Sequence, residues 1–534
     1  MKRTTLVLTA VVGMFAPVMA GCGAADSGSD GGSAIVVGTT DQFGATKTAP
    51  APFDPAYTYD TAAWNILRQT IQTLTHVPRG GGEPVPEAAS RCLFTDHAST
   101  TYRCTLRTGL KFANGDPVTP ADVKYSIQRV VNIHDPNSAY GLLTNIGSID
   151  TEGHDVVFHL KSSDATFPYK LATPAAGIVD PKQYAPKKLR DGFEIDGSGP
   201  YLFKPKVKDN TLVGATFTKN PTYKGDLKVQ NDKVEMRNYT SASAMGAAFD
   251  KNDVDVMLRM SPDQIKSLTD HTPKDVNLTE MPGLEIRYLG FDTSAPVVKE
   301  KAVRQAMAYV VDRDALVSKV YGTTATPLYS LIPSGITGHT NSFFNQYGGQ
   351  PSVKEARDTL QRAGIHTPVK LTLDYTTDHY GAATAKEFQV LQSQFNDSKL
   401  FDVTIKGIPW DTFRPDQTKG DYTIYGMGWF PDFPDPDNFT APFLDKDNFL
   451  NSPYDNPLIR NQLIPDSRRV ANRGAASGTF GEIQNQVASD VPILPLWQGK
   501  QYVAAHTDVT GVEWAVDAST NYYLWELAKG TSDD

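Results

Sequence analysis

One stretch concentrates the residues able to do chemistry. Gly426-Met427-Gly428-Trp429-Phe430-Pro431-Asp432-Phe433-Pro434-Asp435-Pro436-Asp437-Asn438-Phe439 gathers one tryptophan, three phenylalanines and three carboxylates among glycines and prolines. Pro431, Pro434 and Pro436 remove backbone donors and restrict φ, so the stretch reads as a rigid loop and not as a helix. Asp421-Tyr422-Thr423-Ile424-Tyr425 before it is aromatic and β-branched, which predicts a strand. A strand that ends in an acidic, aromatic loop suits a ligand that is cationic and partly apolar. Asp432, Asp435 and Asp437 also offer the oxygens a calcium ion prefers, but no glycine stands where an EF-hand loop turns, and the prolines limit wrapping.

Signatures of covalent chemistry are absent. The chain has no G-x-S-x-G elbow, no H-E-x-x-H, no Walker loop and no G-x-G-x-x-G. Its ten histidines are scattered, and none pairs with another at helical spacing. Paired carboxylates for glycoside hydrolysis meet in space and not in sequence, so that alternative stays open. Binding without catalysis, cofactor or metal is the simpler reading.

A chain of 534 residues exceeds one core and predicts two or three domains. Its 40% hydrophobic and 21% charged residues are an ordinary globular balance. The formal net charge is -9 and the basic residues are dispersed, which disfavours a nucleic-acid partner. Lys2 and Arg3 precede an apolar run from Leu6 to Met19, and Met19-Ala20-Gly21-Cys22 closes it with small residues. This resembles the lipobox of bacterial lipoproteins. It predicts a signal peptide over 1–21 and a lipid-bearing, palmitate-type anchor on Cys22, with residues 22–33 as a flexible tether. Removing Lys2 and Arg3 takes the net charge from -9 to -11. Cys92 and Cys104 flank the polar turn Thr95-Asp96-His97-Ala98-Ser99-Thr100 between two apparent strands, which predicts a disulfide across a hairpin in an exported protein.

The elements around these residues follow from periodicity. Ile35-Val36-Val37-Gly38-Thr39 reads as a first strand, and Phe53 to Asp60 as a turn-rich loop. A helix starts at Thr61 and buries Trp64, Leu67, Ile71 and Leu74. Thr119-Pro120-Ala121-Asp122 opens another helix, with Thr119 as its N-cap. Lys299 to Tyr321 reads as one helix with Ala302, Val303, Ala306, Met307, Val310 and Val311 on its buried face and Gly322 past its end. Strands over Val369–Tyr375 and Phe401–Ile408 bracket a helix over Ala383–Phe395. The alternation suggests open mixed sheets.

Leu106-Arg107-Thr108-Gly109-Leu110-Lys111-Phe112, followed by Asn114-Gly115-Asp116-Pro117-Val118-Thr119-Pro120-Ala121-Asp122-Val123-Lys124-Tyr125-Ser126, resembles the signature of the peptide/nickel class of extracellular solute-binding proteins, the receptors of ABC importers. Phe53-Asp54-Pro55-Ala56, Gly197-Ser198-Gly199-Pro200-Tyr201, the segment Val303 to Arg313 and Pro492-Ile493-Leu494-Pro495-Leu496 agree with it in order along the chain.

The resemblance implies an α/β, two-lobed periplasmic-binding-protein-like fold of the large peptide-binding type, with an extra inserted domain and hinge closure on ligand. The implied division is 34–74, 197–282 and 492–534 for lobe I, 75–196 for the insertion and 283–491 for lobe II. It implies a lipid-anchored receptor on the outer face of the cell membrane, monomeric, passing peptides to permease subunits. A nickel chelate, an oligosaccharide or a cationic metabolite is the alternative cargo, and a lipid-anchored hydrolase the alternative class. Asp432 stands where the family places the carboxylate for a peptide's α-ammonium, with Trp429 and Phe430 as walls able to contact a cation. Asp435 and Asp437 read as turn-makers. Tyr57, Thr58 and Tyr59 correspond to a loop that pairs with peptide backbone. Gly426 stands where oligopeptide-binding members carry an arginine, so the cation for the ligand's far end is missing from that place.

Overall fold

The computed structural model describes residues 34–530, Ala382 excepted. The predicted signal peptide, tether and Cys22 lie outside the described residues. One eleven-stranded mixed sheet runs through the molecule. From one edge its order is Phe401–Ile408, Val369–Thr376, Ile424–Trp429, Val276–Phe291, Ile493–His506, Val256–Met257, Ile35–Thr39, Lys233–Asn238, Thr211–Lys219 and Tyr201–Lys208, with Ala325–Pro327 attached to Ile493–His506. The two long central strands, Val276–Phe291 and Ile493–His506, pair antiparallel. Their register breaks between Pro282 and Ile286 and again between Arg287 and Tyr288.

Those breaks fall where the molecule changes core. Buried apolar side chains from residues 284–497 form one cluster. Those from residues 35–258 and 503–527 form another. The chain thus makes two lobes, and the two central strands carry it from one to the other. Bulges bend a sheet locally, so a bend here sets the angle between the lobes. The lobes also meet away from these strands. Ala165 donates its amide to the Arg468 carbonyl at 2.8 Å, and Tyr169 stacks on Phe433 with ring centres 5.7 Å apart.

Several elements form as their residues predict. Thr119 and Asp122 make a reciprocal capping box at the start of Pro120–Ile133. Three expectations need correction. The helix at Thr61 ends at Thr70, so Ile71 and Leu74 are buried beyond it. Lys299 to Tyr321 is two helices, Lys301–Val310 and Arg313–Val320. The break is local: Val311 is extended, and Asp312 caps the second helix by accepting from the Ala315 amide at 2.8 Å. Third, the strand that begins at Ile424 continues to Trp429, so the first residues of the acidic aromatic stretch belong to the sheet.

Residues 89–160 add a separate four-stranded antiparallel sheet, ordered Ala89–Phe94, Thr101–Leu106, Asp155–Leu160, Ile146–Glu152. Cys92 faces Cys104 across its first pair of strands, and the two form a disulfide. This sheet shares the buried cluster of the first lobe. A buried ion pair ties it there. Arg129, on the capped helix, grips Asp54 with two hydrogen bonds of 2.7 Å, and both side chains are almost fully buried. Asp54 also accepts from the amides of Ala56 and Arg190. It therefore holds the loop that carries Tyr59. Removing one partner of a buried pair leaves the other charge uncompensated. Asp54→Ala is expected to lower stability by about 3–5 kcal/mol in urea unfolding; a loss below about 1 kcal/mol would show that the pair anchors nothing.

Candidate functional site

A cavity of about 620 Å³ opens between the lobes. The first lobe supplies Tyr59, Trp64 and Arg259 to its wall; the second supplies Arg287, Trp429 and Asp432 among others. The sheet explains the second set. Trp429 ends its strand opposite Ile286, and Gly428 sits opposite Arg287. The chain then leaves the sheet into the proline-rich loop and presents Asp432.

Asp432 is partly buried. Its backbone amide donates to Asn438 Oδ1 at 2.8 Å, and the Asn438 amide donates back to Asp432 Oδ2 at 3.2 Å. Burial raises its carboxyl to about 6, and the nearby Tyr59 hydroxyl and the Asn438 amide oppose the rise only in part. Tyr59 and Asp432 come from different lobes, so this contact spans the cleft. Trp429 is 7% exposed. It packs against Phe443 and Phe449 at 5.5 and 5.4 Å, and its buried Nε1 has no hydrogen-bond partner among the described residues. It is core and cavity wall at once. The Phe430 ring faces the Arg287 guanidinium at 5.9 Å.

Of the Tyr57-Thr58-Tyr59 loop, only Tyr59 lines the cavity. The amides of Tyr57 and Thr58 both donate to the Asp54 carbonyl, at 2.9 and 3.0 Å. The Thr58 carbonyl accepts from the Trp64 indole at 3.1 Å. These backbone groups are spent inside the loop.

Asp435 and Asp437 do more than turn the chain. Asp435 does cap the short turn that follows, accepting from the Asp437 amide at 2.8 Å. It is also fully buried against Arg473, with contacts of 2.7 and 2.9 Å. Asp437 meets Arg468 at 3.2 Å. The two pairs bolt the loop to the segment after Ile464, which leaves Asp432 as the loop carboxylate on the cavity wall.

Gly426 faces the core, where a Cβ would lie 2.0 Å from Phe388 Cζ. No cation could reach the cleft from there. The cations stand elsewhere. Arg287 comes from the neighbouring strand and lies over Gly428, where a Cβ would meet its Nη1 at 1.4 Å. Arg259 comes from the first lobe with a left-handed φ of 56°, and its Nε lies 3.2 Å from Asp41. Tyr380 and Trp410 complete the aromatic wall, and His379 stacks on Trp410 with ring centres 3.7 Å apart. Desolvation against its neighbours and the Arg287 charge push His379 down to about 4. Sequence reasoning missed these residues. One signal was available: Glu285 and Arg287 are opposite charges at alternate positions of the otherwise apolar run from Leu284 to Phe291, on one face. Among the described residues, no group of three or more His, Cys, Asp or Glu is placed to hold a metal, and no helix is long and apolar enough to cross a membrane.

Residues 83–451 match the family model described as bacterial extracellular solute-binding proteins, family 5 Middle. The probable D,D-dipeptide-binding periplasmic protein DdpA of Escherichia coli K12 is 26% identical over 484 residues, 86% of this chain and 89% of that protein. The oligopeptide-binding protein OppA of Bacillus subtilis 168 is 25% identical over 542 residues, 93% of this chain and 94% of that protein. Among solved structures, a dipeptide-binding protein from Pseudoalteromonas sp. SM9913 in complex with Met-Leu superposes with a TM-score of 0.74 at 21% identity, covering 93% of this chain and 100% of that one. At that identity the superposition speaks for the fold.

The Asp432 carboxyl has a definite pH signature. Its folded value, about 6, exceeds that of an unfolded aspartate, about 4. Holding it ionised therefore costs the empty fold nothing below about pH 4 and the full penalty above about pH 6. Asp432→Asn should make the empty protein more stable at pH 7.5, by roughly 1–2 kcal/mol after solvent screening, with the gain fading near pH 4. Equal unfolding curves at both pH values would remove the buried charge from the account. A cation placed at Asp432 should bind about tenfold more weakly at pH 5 than at pH 7 by calorimetry.

Proposed function

Because the chain belongs to the bacterial extracellular solute-binding proteins of family 5, we propose that it captures peptides in the cleft between its lobes and delivers them to the permease of an ABC importer. The observation that carries this reading is Asp432. It is a partly buried carboxylate, held by Asn438 and facing Tyr59, on the wall of a cavity built from both lobes. A peptide's α-ammonium fits it: a desolvated carboxylate gains far more from a facing ammonium than an exposed one does. The peptide names of the relatives support the same cargo.

The cavity wall suits side chains of many kinds. Trp429, Tyr380 and Trp410 offer large faces, and aromatic surface accepts apolar and cationic groups alike. Retention then comes from ordering the lobes around the ligand, with the two central strands as the hinge. The hinge lies near 282–286 and the facing residues 498–500, with 75–196 as the inserted domain. The nascent chain would be cleaved before Cys22 and held on the outer membrane face by lipid on that residue, as a monomer. Nothing in this mechanism calls for a reacting group, so the role is binding and not catalysis.

Titration of the soluble chain from Gly23 with a peptide library, read by thermal shift, tests the reading. A ligand at a hundred times its Kd adds about 2.7 kcal/mol. Peptides with free amino ends should shift the wild type, and Asp432→Asn should lose roughly tenfold or more in affinity for them. N-acetylated peptides should not distinguish the two proteins. A shift from a nickel chelate or an oligosaccharide and from no peptide would overturn the peptide cargo. Turnover of a chromogenic ester or glycoside would point to a hydrolase.

A further inference from the structure

Three strands close the eleven-stranded sheet on the side of the first lobe: Tyr201–Lys208 at the edge, then Thr211–Lys219 and Lys233–Asn238. Successive side chains of a strand point to opposite faces. Ala215, Phe217, Val234 and Met236 turn inward to the core of the first lobe. The register puts Lys204, Lys206, Thr216, Lys233, Glu235 and Arg237 together on the other face. A groove of about 470 Å³ runs over it, with Lys206, Thr216, Glu235 and Arg237 in its walls.

Four cations that lie apart in sequence thus surround one carboxylate. Lys233 pairs with Glu235 at 2.5 Å, and Arg237 Nη1 donates to the Asp253 carbonyl at 2.8 Å. Lys233 foremost, with Arg237 and Lys206, holds Glu235 below the usual carboxylate range. Glu235 being taken by Lys233, the exposed Lys204 and Lys206 are left without an ion pair among the described residues. Residues 201–238 hold eight Lys and Arg against four Asp and Glu, in a chain whose formal net charge is -9. The positive surplus is therefore local. Lysines on an edge strand keep other strands from pairing with it. That purpose accounts for Lys204 and Lys206 at most. Lys233 and Arg237 stand two strands further in, where there is no edge to protect.

The chain enters the fold beside these cations. Ile35, at the start of the first strand, pairs with Val234, the neighbour of Lys233. Thirteen residues separate Cys22 from Ile35, and a chain of that length reaches at most about 45 Å. Lipid on Cys22 would hold the charged face within that distance of the bilayer.

We propose that this face of the first lobe docks on the anionic lipid head groups of the membrane to which the chain is anchored. The inference rests on the lipid-anchored reading above and adds an orientation to it. Head-group phosphates attract clustered Lys and Arg over a Debye length, about 8 Å at physiological salt. The rest of the chain carries an excess of negative charge, so an anionic surface repels it elsewhere. One attractive face on an otherwise repelled body sets its orientation. Docked there, the first lobe is held and the second stays free to close on ligand.

Co-sedimentation of the soluble chain from Gly23 tests the face without its anchor. The vesicles are phosphatidylcholine alone, and phosphatidylcholine mixed with phosphatidylglycerol. The chain should sediment with the anionic vesicles only, and should be released as salt rises from about 20 to about 200 mM and the Debye length shrinks. Lys204→Glu with Lys206→Glu should weaken this partition roughly tenfold or more. Lys319→Glu with Lys386→Glu makes the same change of charge at exposed positions of the second lobe, and should alter it by less than about threefold. Anionic vesicles should slow amine acetylation at Lys204 and Lys206 and not at Lys319. Equal sedimentation with both vesicles, equal losses in both pairs of variants, or binding to soluble polyphosphate and to no vesicle would overturn the docking face and leave the anchor standing. The anchor is read separately. The full chain made in a bacterium fed labelled palmitate should carry label, and Cys22→Ala should abolish it. Absence of label would overturn the anchor, while the sedimentation result still decides the face.

Discussion

The structure depends on the antiparallel pairing of two long strands, Val276–Phe291 and Ile493–His506. They are the bridge between two separate hydrophobic clusters. Each strand donates its first part to one core and its second part to the other. The pairing is continuous on either side and irregular at Pro282–Ile286 and Arg287–Tyr288. Packed cores resist deformation, whereas a strand pair with an interrupted ladder can bend. The interrupted ladder is thus the softest part of the ribbon that joins the two cores, and the cleft lies alongside it.

The same constraint places the charges. Arg287 reaches the cleft because its strand crosses there, and Trp429 reaches it because its strand pairs with the crossing one. Polar groups at such a junction are neither in water nor in a core. Desolvation raises Asp432, and desolvation together with the Arg287 charge lowers His379. Fully buried pairs do a different task. Asp54 with Arg129, and Asp435 with Arg473, fix two loops onto their lobes. Those loops carry Tyr59 and Asp432, which face each other across the cavity. The fixed ion pairs hold the two loops, and the partly buried carboxylate is left on the cavity wall. Two nearly identical Asp residues, 432 and 435, thus divide into one on the cavity wall and one locked in the scaffold, according to which finds an internal arginine.

Much of the fold was legible in the chain. Short-range chemistry specifies an N-cap, a capping box or an alternating strand, and those elements appear where their residues predict, as at Thr119 and Ile35–Thr39. The errors have separate causes. Helical periodicity at Lys299–Tyr321 continued across a break because both helices bury one face against the same core, and only the cap at Asp312 separates them. The strand at Ile424 ran two glycines further than its composition suggested. Those glycines are not loop signals but the response to Phe388 and Arg287 pressing on the sheet.

The sequence by itself determined the family, the element types, the disulfide partners and the identity of the acidic aromatic loop. These rest on local patterns that survive without knowledge of neighbours. Only the tertiary structure decided which of three aspartates stays free of an internal arginine, that Tyr59 alone of its loop reaches the cavity, and that Arg287 and not residue 426 brings positive charge to the cleft. The physical reason is that these are questions of pairing between distant segments. Arg129 lies 75 residues from Asp54, and Arg473 lies 38 residues from Asp435. A charge's role depends on whether such a partner reaches it before a ligand does.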